Sequence, residues 1–356
     1  MELRDVTIEV SLPPPAPETL AAVEAARLRY VTDRLPGFSR VKRGRGLQYL
    51  DVQGKKLTDR AHLARIEALK IPPAWSTVWI SPWATGHIQV TGRDEKGRKQ
   101  YLYHEEWRRV RDETKFIRMR IFGEKLPAIR RRIKADLAKP GLPREKVLAT
   151  VLSVMDRTLI RVGNEEYARE NDSYGLTTFK NRHAKVAGSR VKFHFKGKSG
   201  KVHDIEVEDP RVARVIRRCQ ELPGQDLFGF IDDGGDVVPI DSGDVNKYLR
   251  EITEEDFTAK DFRTWGGSVR MLRCLLNLGP CEGEKAKKRF VTQAVKETSG
   301  WLGNTVAVCR KYYVHPLIYE THDDGRLFKV SSRKGRRITG LKADEILFMR
   351  LLKACA

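Results

Sequence analysis

Between Pro143 and Arg161 the residues Val147, Val151, Val154, Thr158 and Arg161 recur at spacings of four, three, four and three. That period predicts a helix whose core-facing stripe ends in an arginine. A guanidinium at the edge of a core cannot shed its charge and needs an anionic partner. A nearby carboxylate could supply it; so could a ligand phosphate. Breaking a phosphodiester without a metal needs cations on the non-bridging oxygens, an activated nucleophile and a proton for the leaving 5′ oxygen. Arginine forks donate to two phosphate oxygens at once, and a lysine or arginine can deliver the proton. A tyrosine, with an ordinary pKa of about 10, becomes a usable nucleophile where cations favour its phenolate. The chain holds ten tyrosines, two of them adjacent at Tyr312 and Tyr313.

Other chemistries lack their signatures. No GxxxxGK[ST] run is present, which disfavours a P-loop ATPase, and no HExxH occurs. The acidic stretches DDGGD and DSGD lack EF-hand ligand spacing and read as Asp-Gly turns. The five cysteines (Cys219, Cys274, Cys281, Cys309 and Cys355) form no CxxC pair, which predicts reduced thiols and no structural metal.

The elements that would position such residues fall into two textures. After a Pro-rich leader over residues 1–20 (SLPPPAPETL) and a short helix over Ala21 to Thr32, residues 38–103 read as strands separated by Gly, Pro and charged turns. GHIQVTG and KQYLYH, joined by RDEKGR, predict a hairpin with a basic tip. Beyond about Arg111 the pattern becomes helical, interrupted by a second hairpin in which VKFHF and KVHDIEV flank the turn GKSG. Helices are predicted over Pro210 to Glu221, Val245 to Glu251, Phe262 to Leu278, Glu284 to Thr298 and Ala343 to Ala354. The expected class is therefore α+β: a small β-rich domain over 21–110 and a mainly helical domain over 111–356 ending in the basic tail SSRKGRRITG.

At 356 residues two domains are the default. Hydrophobic residues at 40% can build real cores, so wholesale disorder is excluded. Lys plus Arg number 68 against 47 Asp plus Glu, a formal charge of +21, which creates a field that attracts polyanions, nucleic acid foremost. No stretch approaches the ~20 apolar residues of a membrane helix, and the first ten residues are not a signal peptide. A cytoplasmic, nucleoid-associated monomer is expected.

The runs IRVGNEEYARENDSYGLTTFKNRH, FKGKSG, KDFRTWGG and LGNTVAVCRKYYVHP resemble the bacterial, poxvirus-like type IB DNA topoisomerases. LKIPPAWSTVWISPWATGHIQVTGRDEKGRKQYLYHEEW is similar to that family's N-terminal domain. The matches run in order from about Leu28 to Tyr319. The resemblance implies a fold of the tyrosine recombinase and type IB topoisomerase kind, with duplex DNA as substrate and no nucleotide, cofactor or metal. It places phosphate-binding arginines at Arg161 and Arg263, the proton-donating lysine at Lys198, a fourth phosphate ligand at Asn304 and the nucleophile at Tyr313. Tyr313, rather than Tyr312, stands nine positions after the fourth ligand and directly before VHP. Poxvirus members carry a histidine where Asn304 stands; an amide still donates a hydrogen bond but carries no charge.

Each position has a plainer reading. Arg161 could be a structural ion pair, Lys198 a solvated turn lysine with Lys196 and Lys201 as competitors, and Asn304 an N-cap for a helix over Thr305 to Arg310. In one continuous helix Asn304 and Tyr313 would face opposite ways, so a break must lie between them. For DNA grip, Arg93, Lys96, Arg98 and Lys99 with Tyr101 and Tyr103 form a basic, aromatic-interleaved hairpin surface. Tyr167, expected on the helix carrying Arg161, matches a DNA-contacting tyrosine of the family. Trp75, Trp79 and Trp83 are expected in the small domain's core. The alternatives are a tyrosine recombinase, against which the triplet before Arg263 begins with Lys260 instead of histidine, and an architectural DNA-binding protein.

Overall fold

The computed structural model describes residues 20, 23–44, 46–95, 97, 99–232, 234–332 and 337–354, with backbone alone at 111–115 and 117. The leader, Lys96, Arg98, residues 333–336 of the tail and Cys355 lie outside the described residues. The chain divides into two compact units, Met1–Lys115 and Phe116–Ala356.

In the first unit, strands Phe38–Arg43 (β1), Gly46–Leu50 (β2), Ser76–Ile80 (β3), Ile88–Arg93 (β4) and Lys99–Tyr103 (β5) form one antiparallel sheet in the order β2-β1-β3-β4-β5. Alternation drives it: Phe38, Val78, Ile80 and Val90 turn to one core with Ile66 and Ile71. Ile66 comes from a helix absent from the sequence expectation, Arg60–Ala68 (α1), N-capped by Asp59. Its single buried side chain gave too little period to stand out among strands; the Asp cap and Pro72 beyond its end were the available signals. Buried Arg40 is satisfied by the carbonyls of Ile71, Pro72 and Trp75. The helix expected over Ala21 to Thr32 is over by residue 25: Arg27 turns the chain at φ 51°, and Arg29 then bridges to Gly86 as extended chain. Trp75, Trp79 and Trp83 are half-buried.

Glu105–Leu137 (α2) carries the chain into the second unit. There Arg144–Thr158 (α3) is the central helix, with every residue from Val147 to Met155 buried. It stops earlier than expected. Leu159 adopts a left-handed conformation, φ 54°, so Arg161 lies beyond the helix rather than on its stripe. A leucine there costs roughly 1 kcal/mol; its side chain packs into the core in return. Tyr167 consequently sits on a separate helix, Glu165–Asn171 (α4), N-capped by Asn164.

Strands Ala184–Ala187 (β6), Arg190–Lys196 (β7) and Val202–Glu208 (β8) form an antiparallel sheet in which Val191, Phe193 and Phe195 are buried on alternate positions. The expected GKSG turn joins β7 to β8. Pro210–Gln220 (α5) follows under an Asp209 cap, then a two-stranded ribbon, Gly229–Ile231 (β9) with Val237–Pro239 (β10). Asp232 folds the DDGGD turn, and Asp241 caps Ser242–Thr253 (α6), so these acids organise backbone. Ala259–Leu278 (α7) opens with a capping box between Thr258 and Asp261. Glu284–Leu302 (α8), Val306–Tyr312 (α9), Pro316–Asp323 (α10), Arg326–Ser331 (α11) and Ala343–Ala354 (α12) complete the unit. A partly buried ion triad, Arg130 with Asp156 and Glu345, pins α12 to α2 and α3.

Candidate active site

The left-handed turn at Leu159 frees the Leu159 carbonyl and swings Arg161 toward the start of α7. Arg263, one turn into that helix and 5% exposed, donates to the carbonyls of Leu159 and Leu302, the latter at 2.7 Å. A buried guanidinium with two carbonyl partners is fixed in place, and its charge remains uncompensated by any carboxylate among the described pairs. Burial, then the charge of Arg161, pushes Arg263 down to about 10, still far above neutral.

Asn304 joins the two arginines. Its Oδ1 accepts from Arg161 Nη2 and, at 3.2 Å, from Arg263 Nη2. Guanidiniums only donate, so the amide oxygen must face them. Asn304 Nδ2 therefore points elsewhere, and it is buried without a protein partner, as is Arg263 Nε. Buried donors left open are costly; beside two cations they are suited to an anion. Asn304 is not the N-cap of α9: Thr305 is, and Asn304 sits in the linker after α8 with its backbone N–H on Ser299 O at 2.9 Å.

Tyr313 ends α9 as its C-cap. The break expected between Asn304 and Tyr313 takes the form of one short helix with each residue just outside an end. The Arg263 guanidinium lies 5.3 Å over the Tyr313 ring. Burial alone would raise the phenol, but the positive charges of Arg263, then Arg161 and Lys260, outweigh it and hold Tyr313 below its ordinary value. Neighbouring Tyr312 is exposed, with the Lys311 ammonium 5.4 Å over its ring.

Tyr313, Arg161, Arg263, Lys198 and Tyr167 line one cleft, which Lys260 also enters. Lys198 is exposed in the β7–β8 turn, where Ser199 takes φ 64°. Its rivals are engaged: Lys196 with Asp172 at 3.3 Å, and Lys201 with the Asn304 carbonyl at 3.4 Å. Two residues at this site were not singled out from sequence. Lys260 precedes Arg263 by three in α7, the spacing of one helix face. His203 lines the recess beside Arg161, Lys198 and Arg263; its parity with Ile205 and Val207 was the available signal.

The residues expected to grip DNA in the first unit lie on and beside β4 and β5. Arg93, at the end of β4, donates to Gly97 O at 2.7 Å, and Lys99 pairs with Asp33 at 2.6 Å. Tyr101 and Tyr103 stack on one face of β5, centroids 5.8 Å apart.

Comparison with known proteins covers both units. The profile of the eukaryotic DNA topoisomerase I catalytic core matches residues 104–326, and that of the bacterial DNA topoisomerase IB N-terminal domain matches 46–94. The chain is 30% identical over 306 residues to DNA topoisomerase 1B of Acanthamoeba polyphaga mimivirus, covering 84% of this chain and 91% of the relative. DNA topoisomerase 1B of Vaccinia virus (strain Copenhagen) is 23% identical over 310 residues, 81% of this chain and 93% of that protein. DNA topoisomerase 1 of Daucus carota is 30% identical over 231 residues, 62% of this chain and 26% of the larger relative.

Proposed function

The chain belongs to the type IB DNA topoisomerases, and from that premise we propose that it relaxes supercoiled duplex DNA by cutting and resealing one strand at Tyr313, with neither metal nor ATP. The observation that carries this reading is the pair of open buried donors, Arg263 Nε and Asn304 Nδ2, beside two guanidiniums and a phenol held below its ordinary pKa.

The scissile phosphate binds between Arg161, Arg263 and Asn304, whose donors stabilise charge as it builds on the non-bridging oxygens. Tyr313 Oη attacks phosphorus as the bond to the 5′ oxygen breaks. The phenol loses its proton, Lys198 protonates the leaving oxygen, and the product is a 3′-phosphotyrosine with a free 5′-hydroxyl. The new ester replaces one phosphodiester by another, so resealing needs no external energy. The free end rotates before its hydroxyl attacks the ester and releases Tyr313. Exposed Arg93, Lys99 and Tyr101 with half-buried Tyr103 on the first unit, and half-buried Tyr167 on the second, hold the duplex, together with Lys96 and Arg98.

Supercoiled plasmid incubated in EDTA without ATP tests the reading: relaxation is expected. Tyr313→Phe should lose activity by about 10⁴-fold or more while still binding DNA, and denaturant quenching should trap the parent protein on a 3′ DNA end. A supercoiled plasmid left intact despite binding would point to an architectural role. Strand exchange between two defined sites would point to a recombinase.

A further inference from the structure

His203 stands where the turn carrying Lys198 meets the linker carrying Asn304. It is the direct cross-strand partner of Phe195, and the two rings stack with centroids 5.1 Å apart at 18°. On one side is Gly197, immediately before Lys198: a Cβ there would fall 2.8 Å from His203 Cδ2. On the other is Gly303, immediately before Asn304, where a Cβ would fall 2.7 Å from His203 Cε1. Side-chain carbons do not approach so closely, so the imidazole occupies the space both glycines leave open. Gly303 has a backbone reason to be glycine, φ +64°. Gly197 has none, since its φ of −95° suits any residue; the ring explains it.

The surroundings also fit an uncharged ring. Arg161 follows α3, Arg263 faces it from α7, Lys201 comes just before the strand of His203 and Lys198 lines the same recess. From α8 only uncharged Trp301 and Leu302 line that recess. Asp204, next in sequence, meets His194 at 2.9 Å and Lys192 at 3.6 Å on the opposite sheet face. Burial, then Arg161, Arg263 and Lys201, hold the imidazole below its ordinary value and hence neutral.

We propose that His203 is a positioning residue: its ring, wedged between Gly197 and Gly303, sets where Lys198 stands relative to the phosphate clamp of Arg161, Arg263 and Asn304. This rests on the function proposed above. The clamp has its own supports in Leu159, Leu302 and the mutual bonds to Asn304, so loss of the ring releases the lysine and leaves the phosphate ligands and Tyr313 in place. The defect is one of proton delivery to the leaving oxygen.

Leaving-group chemistry separates this from a merely structural role. The full chain is presented with a short duplex whose cleaved fragment dissociates, carrying at the scissile position either the ordinary 5′ oxygen or a 5′-bridging sulfur. The sulfur departs as a thiolate and needs no proton. His203→Ala should slow cleavage about 10- to 100-fold on the oxygen substrate and less than about 3-fold on the sulfur one. Equal slowing on both, or none on either, would overturn the proposal. Gly197→Ala reaches the same contact from the other side and serves if His203→Ala does not fold. Its added methyl should produce the same leaving-group-dependent loss, and combining it with His203→Ala should add little, because the space is already vacant. Additive losses would also overturn it. A parent protein that forms no Tyr313 adduct with the oxygen substrate would overturn the function itself, a failure visible before any variant is compared.

Discussion

The β4–β5 hairpin and the cleft around Tyr313 both gather arginine, lysine and tyrosine, in opposite surroundings. In the hairpin the described cations are exposed and already partnered: Lys99 by Asp33 and Arg93 by the Gly97 carbonyl, while the two tyrosines stack on each other. In the cleft Arg263 is buried and Arg161 half-buried, and among the described residues their side-chain hydrogen bonds go to neutral acceptors, the carbonyls of Leu159 and Leu302 and one amide oxygen. Solvated charges of the first kind exchange counterions for phosphates and give a grip that salt weakens. Fixed, desolvated charges of the second kind reward an anion at one spot and shift the acidity of the phenol beside them. Residue type alone therefore predicts neither role; burial and unmet donors divide them.

The contrast can be broken most severely at Arg263. Arg263→Ala should slow cleavage about 10²- to 10³-fold, read in single turnover with saturating DNA. Thermal melting should show a lower Tm as well, since two buried carbonyls lose their donor. Arg263→Lys restores charge without the fork and should stay well below the parent rate. An unaffected rate in either variant would put the phosphate somewhere else. Lys260→Ala sharpens the electrostatic half. Removing a cation raises the Tyr313 phenol, so less phenolate exists at neutral pH; cleavage should slow by up to about 10-fold. The rising limb of its pH–rate curve should move to higher pH. A limb that stayed put would mean Lys260 does not act on the phenol. The smallest effect belongs to the hairpin. Lys99→Ala should weaken duplex binding only about 3- to 5-fold near 0.1 M salt and lower the salt slope by about 1. Affinity should respond more than the cleavage rate at saturation, and the reverse pattern would erase the distinction between the regions.

Much of this was legible in the chain. The alternation of β7, the GKSG turn and the 343–354 helix emerge where expected because each is short-range: parity, turn chemistry and helical period act within a few residues. The reading failed where a distant partner decides the local conformation. The stripe from Val147 to Arg161 has no break in its period, yet the helix ends at Thr158, where Leu159 turns left-handed and its carbonyl accepts from Arg263 more than a hundred residues away. Asn304 has the composition of an N-cap and sits one place before the true cap, held by two arginines that no local pattern reveals. His203 hides in an ordinary strand; its importance comes from two glycines, one of them a hundred residues downstream.

Ser268, fully buried in α7, accepts the His315 N–H at 3.0 Å and lies 3.3 Å from the Tyr313 carbonyl. The main chain directly after the phenol is thus moored to the helix that carries Arg263. In the proposed reaction, DNA joined to Tyr313 would pull on the protein while the free 5′ end turns. The mooring directs that pull down the axis of a long core helix, so the anchor and the arginine proposed to hold the phosphate recoil together. A shorter tether, ending in α9 alone, would let the two drift apart while the end is free.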